Sequence, residues 1–181
     1  MFRSTVLIPP LSGSEVSPTL MAQKITPRAV WRRTESRDVR ELRADALAFA
    51  KSVGAKMVDL RFCDLLGMWQ HCTLSVSAFD EGAFEDGLGF DGSSIRGWQG
   101  IAESDMLLVP DPATITRDPF TQEPTVALIC DIVDPLTREP YGKDPRRVAR
   151  AAEAYLRTTG IADTAFFGPE AEFFVFDEVS W

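Results

Sequence analysis

The spacing of apolar residues switches once near the start of the patterned region, and that switch constrains the fold most. Val39, Leu42, Ala46, Phe49, Ala50 and Val53 recur at helical intervals and form one stripe. The spacing predicts a helix capped by Ser36 and stopped by Gly54. Directly after it, Val58, Leu60 and Phe62 alternate with Asp59, Arg61 and Cys63, as on a half-buried strand. Residues 64–67 read as a turn and 68–76 as the returning strand of a hairpin. A short helix is expected over 77–85, with Ser77 and Asp80 spaced like a capping box. Six glycines between Gly82 and Gly100 mark a loop. Residues 106–109 and 125–133 read as short strands. Asp144 and Pro145 open a second helix, striped by Val148, Ala152 and Tyr155 and stopped by Gly160. Residues 165–176 are expected to close the chain as a strand. Strands with so few helices between them indicate an α+β fold, not alternating βαβ units.

Composition removes several function classes. The 181 residues are 45% hydrophobic and 25% charged, which suits a globular chain. Lys and Arg number 19 against 27 Asp and Glu, a net charge of −8, which argues against nucleic acid or an anionic membrane as partner. No apolar run approaches the ~18 residues that span a bilayer. Three cysteines without CxxC spacing and one histidine, His71, supply neither a disulfide framework nor a zinc ligand set. A cytoplasmic chain is expected. Residues 1–35 hold Pro9, Pro10, Pro18 and Pro27 and no sustained period. They are expected to be a disordered extension or to follow a misassigned start, with Met21 available downstream.

Two places carry residues suited to chemistry. The first is Phe90-Asp91-Gly92-Ser93-Ser94-Ile95-Arg96-Gly97-Trp98, followed by Glu103-Ser104-Asp105. A loop of glycine and hydroxyl residues can hold a carboxylate beside backbone and serine donors, poised to bind a cation or remove a proton. It can equally be a surface loop whose Asp91 and Ser94 satisfy local turns. The second is Gly168-Pro169-Glu170-Ala171-Glu172-Phe173-Phe174. On a strand, Glu170 and Glu172 project from one face, and two oxygen donors there suit a hard divalent cation. The alternative is a solvated strand face with both glutamates outward.

Together with Val58-Asp59-Leu60-Arg61-Phe62, these two segments resemble bacterial type I glutamine synthetase. Asp118-Pro119-Phe120, Cys130-Asp131-Ile132 and Asp144-Pro145-Arg146 match that family in the same order, from about Val39 onward. The resemblance implies a β-grasp domain over 36–140 and the first helix and strand of a catalytic domain over 141–181. It implies a glutamate–ammonia ligase, which makes glutamine from glutamate, ammonia and ATP through a γ-glutamyl phosphate, with Mg²⁺ or Mn²⁺. By that resemblance Asp91 binds ammonium and helps deprotonate it, and Ser94 is a polar contact in the same pocket. Glu170 and Glu172 are the first metal-binding pair. The family assembles as ring homo-oligomers, typically dodecamers, in which the aspartate loop completes a neighbouring subunit's site.

The chain is well under half the length of a family member, so on its own it is expected to be inactive. A non-catalytic truncated β-grasp chain that docks onto full-length subunits is the rival reading. A divalent-cation binder independent of ATP ranks last.

Overall fold

Val58, Leu60 and Phe62 are almost wholly withdrawn from solvent, and the strand carrying them organises the sheet. The computed structural model describes residues 38–168 and 170–180. Of the described residues, those up to 165 belong to one unit and those from 166 onward to another, and each is described by itself. Residues 1–35 and the expected cap Ser36 lie outside the described residues.

Helix α1 runs Val39–Ser52, with Asp38 capping it by accepting the Arg40 amide at 3.0 Å. Its end is a left-handed glycine cap. Gly54 has φ +64°, its amide donates to the Lys51 carbonyl at 3.0 Å, and the Ala55 amide donates to the Ala50 carbonyl at 3.0 Å. Strands β1 (Met57–Cys63) and β2 (Trp69–Ser75) form the antiparallel hairpin, with Asp64 closing its turn by accepting the Leu66 and Met68 amides. Helix α2 (Glu81–Glu85) is a single short turn preceded by a 3₁₀ turn, Val76–Ala78. The capping-box expectation is corrected here. Ser75 caps the 3₁₀ turn, and Asp80 precedes α2 without a side-chain cap bond.

The glycine-rich stretch is not loop throughout. Leu88–Asp91 forms strand β3, paired antiparallel to β4 (Asp105–Pro110). Leu88 and Phe90 pack against the core, which outweighs the low strand propensity of the flanking glycines. Strand β5 (Thr116–Asp118) is three residues long and carries no readable alternation. Strand β6 (Thr125–Val133) is the spine: its first half pairs parallel to β1 and antiparallel to β5, its second half antiparallel to β4. The strand order is β2-β1-β6-β4-β3, with β5 beside β6. Ala46 and Ala50 of α1 cover one face of this sheet with the buried residues of β1, β4 and β6.

Helix α3 (Pro145–Thr158) buries none of its residues. It is tied down at its start. The buried Asp144 accepts the Arg146 amide at 2.9 Å, and Arg146 and Arg150 pair with Asp111 and Asp131.

The strand expected over 165–176 does not form. Its described residues are irregular and exposed, Phe166, Phe167, Phe173, Phe174, Val175 and Phe176 among them. A strand needs a hydrogen-bonded neighbour, and among the described residues this segment pairs with none.

Candidate active site

Phe62, Phe90 and Trp98 converge under the glycine-serine loop, with ring centroids 5.1–6.3 Å apart, and Tyr141 packs against Trp98 at 5.2 Å with its ring tilted by 56°. This aromatic base fixes both ends of the loop, because Phe90 lies on β3 and the buried Ile95 and Trp98 follow it. Lys143 fastens the far end, donating to the Gly97 and Trp98 carbonyls at 2.9 and 2.7 Å.

Asp91 ends β3 and opens a 3₁₀ turn over Gly92–Ser94. Its Oδ1 accepts the Ser93 amide at 2.9 Å and the Ser93 hydroxyl at 2.6 Å; its Oδ2 accepts the Ser94 hydroxyl at 2.8 Å. The structure therefore brings Asp91 and Ser94 together. The Ser93 hydroxyl first, then the Ser94 hydroxyl and the Ser93 amide, hold the carboxyl below the ordinary aspartate range. Both Asp91 and Ser94 are exposed, so a small solute reaches them. Asp105 sits directly across on β4, and residues 89–91 and 105–107 with Pro135 line an open groove of about 390 Å³.

Gly92 is needed for lack of space. A Cβ there would collide with Met106 Sδ and lie 2.7 Å from Met106 Cγ and 3.1 Å from the Ser104 carbonyl oxygen. The Gly92 amide donates to that same carbonyl at 2.6 Å. Neither Gly92's close approach nor the two hydrogen bonds from Ser93 are evident in the sequence pattern. The Asp-x-Ser spacing, a common local turn pattern, is the signal that marks Ser93.

Glu170 and Glu172 lie in the second unit, both exposed in irregular chain. The expectation that strand pleating sets them on one face lapses with the strand. Their carboxylate oxygens suit a hard cation such as Mg²⁺ by donor type, and the pair fits as part of a ligand set. Among the described residues no group of three or more His, Cys, Asp or Glu could hold a metal by itself. His71 Nδ1 lies 2.7 Å from Asp59 Oδ1 on the hairpin. Among the described residues no helix is long and apolar enough to cross a membrane.

A sequence model described as the glutamine synthetase β-grasp domain matches residues 54–135, and one described as the glutamine synthetase catalytic domain matches 142–181. A glutamine synthetase of Azorhizobium caulinodans is 56% identical over 137 residues, covering 76% of this chain and 29% of that protein. A protein of Cupriavidus pinatubonensis named 3-hydroxylaminophenol mutase is 54% identical over 138 residues, with the same coverage. The chain thus spans 29% of the length of these relatives. A cryo-EM structure of Plasmodium falciparum glutamine synthetase superposes with a TM-score of 0.61 at 24% identity, over 72% of this chain and 24% of that one.

Proposed function

The chain belongs to the glutamine synthetase family, and from that membership we propose that it supplies the ammonium-binding loop of a glutamate–ammonia ligase. The arrangement of Asp91 with Ser94 is the observation that supports this reading most. The Ser94 hydroxyl donates its hydrogen bond to Oδ2, so the lone pairs of its oxygen are left for a ligand. An ionised carboxylate and a hydroxyl oxygen 2.8 Å apart make two adjacent acceptors for a small cation with several N–H donors, such as ammonium. The bonds that keep Asp91 ionised also make it a weak base, so its first task is to hold the cation.

In this reading Glu170 and Glu172 contribute carboxylates to the divalent-metal site. Mg²⁺ or Mn²⁺, when bound, would screen the charge of ATP's phosphates during phosphoryl transfer to glutamate. Residues 36–140 form the β-grasp domain and 141–181 the opening of the catalytic domain. Glutamate, ammonium and ATP are the substrates, the setting is the cytoplasm, and the partners are further subunits of a ring homo-oligomer.

The test is a chimera in which this chain's matched 137 residues replace those of the Azorhizobium caulinodans enzyme. Ammonium-dependent phosphate release with glutamate and ATP is expected. Asp91→Asn should raise the ammonium concentration for half-maximal rate roughly ten- to hundredfold while ATP dependence holds. Unaltered ammonium dependence would reduce Asp91 to a turn residue.

A further inference from the structure

The two oxygens of Asp91 are not equivalent. Oδ1 accepts two hydrogen bonds from one residue, the Ser93 amide at 2.9 Å and its hydroxyl at 2.6 Å. Those two bonds use both lone-pair directions of that oxygen. Oδ2 accepts one bond of this kind, the Ser94 hydroxyl at 2.8 Å, so it is the less occupied oxygen and Ser94 Oγ lies beside it.

We infer that Ser93 is a positioning residue: by occupying Oδ1 it leaves Oδ2 and Ser94 Oγ as the one acceptor pair offered to an N–H-bearing cation. The inference rests on the reading of Asp91 as the ammonium residue and adds which oxygen does the binding. The backbone supports it independently. Gly92 is pressed against Met106 and bonded to the Ser104 carbonyl, so the turn carrying Ser93 cannot swing away from Asp91. The residue paired with Asp91 across the ladder on β4 is Asp105. Of the serine donors to Asp91, the hydroxyl of Ser93 makes the shortest bond.

The experiment follows the Asp91 carboxyl carbon by NMR in the 181-residue chain and its Ser93→Ala and Ser93→Thr variants. Ser93→Ala keeps the amide donor and removes the hydroxyl, whereas Ser93→Thr keeps both. The expected result is an upward shift of the Asp91 titration midpoint for alanine and a wild-type midpoint for threonine. Ammonium chloride should perturb the wild-type Asp91 signal and tetramethylammonium chloride, which has no N–H, should not. The half-saturating ammonium concentration should rise roughly three- to tenfold in Ser93→Ala. Coincident titrations for wild type and Ser93→Ala would overturn the role of Ser93. Were the alanine variant to lose its folded amide spectrum, a threonine midpoint moved up to the ordinary aspartate range would overturn it instead. A wild-type Asp91 indifferent to ammonium would overturn the ammonium reading, while the pH titrations judge Ser93's hold on Oδ1 separately.

Discussion

Asp59 shows how a single side chain can tie a sheet face together. Buried to 6% exposure, it accepts Arg61 Nε at 2.7 Å, bonds His71 Nδ1 at 2.7 Å and accepts the Thr73 hydroxyl at 2.8 Å, while Arg61 also pairs with Asp118. Burial alone would raise its carboxyl, but the bonds from Arg61, His71 and Thr73 prevail and hold it below the ordinary range. A depressed folded value means stability that is complete above the unfolded aspartate range and is lost as pH falls through the folded value. Asp59→Asn should therefore cost about 1–3 kcal/mol at neutral pH, and urea denaturation across pH should show the gap to wild type closing in acid. A gap independent of pH would mean the network acts through shape alone. Gly92→Ala is a test of space at the same scale. It should cost about 1–3 kcal/mol in the same urea assay, because Met106 and the Ser104 carbonyl must yield to the new methyl. In sequence, Asp91 and Ser94 gain their roles only by family resemblance. The Asp-x-Ser spacing marks Ser93 as a turn partner of Asp91, but which oxygen each serine takes is set by three-dimensional geometry.

Among the elements, those with strong periodicity were legible and those made by tertiary pairing were not. The stripe from Val39 to Val53 forms α1, the alternation at 58–62 forms β1, and Pro145 sits in the first turn of α3 as its missing amide donor allows. Strand β3 hid behind Gly87 and Gly89, since glycine spacing says nothing of a waiting neighbour strand. The expected 165–176 strand failed for the opposite reason: the apolar pattern is present, but pleating requires a ladder. The same logic makes α3 uneven. Its N-terminal half is anchored by Asp144, Arg146 and Arg150, whereas Tyr155 near its end is 71% exposed. Amide hydrogen exchange should show residues 153–158 opening far more readily than the β6 amides. Equal protection along the whole of α3 would reveal a covering contact for its second half.

For the molecule as a whole, exposed aromatic surface is the dominant liability. Phe166, Phe167, Phe173, Phe174 and Phe176 are each at least 66% exposed, more apolar surface than a stable monomer usually presents. The 181-residue chain should therefore self-associate in light scattering. A version ending at Ala165 keeps the ties of Tyr141, Lys143 and Arg146 to the sheet and should run as a monomer. Equal behaviour of the two would show that these phenylalanines are shielded in solution. The parallel pairing of β1 with β6 bears on how such a chain is made. The ribosome releases the β1–β2 hairpin first, yet its partner Thr125–Val133 emerges only after α2, β3, β4 and β5. At translation speeds of ~5–20 residues per second, Val58, Leu60 and Phe62 spend a few seconds on the nascent chain without their parallel neighbour. Vectorial synthesis thus gives chaperones a window on this hairpin that closes only when β6 slides in beside it.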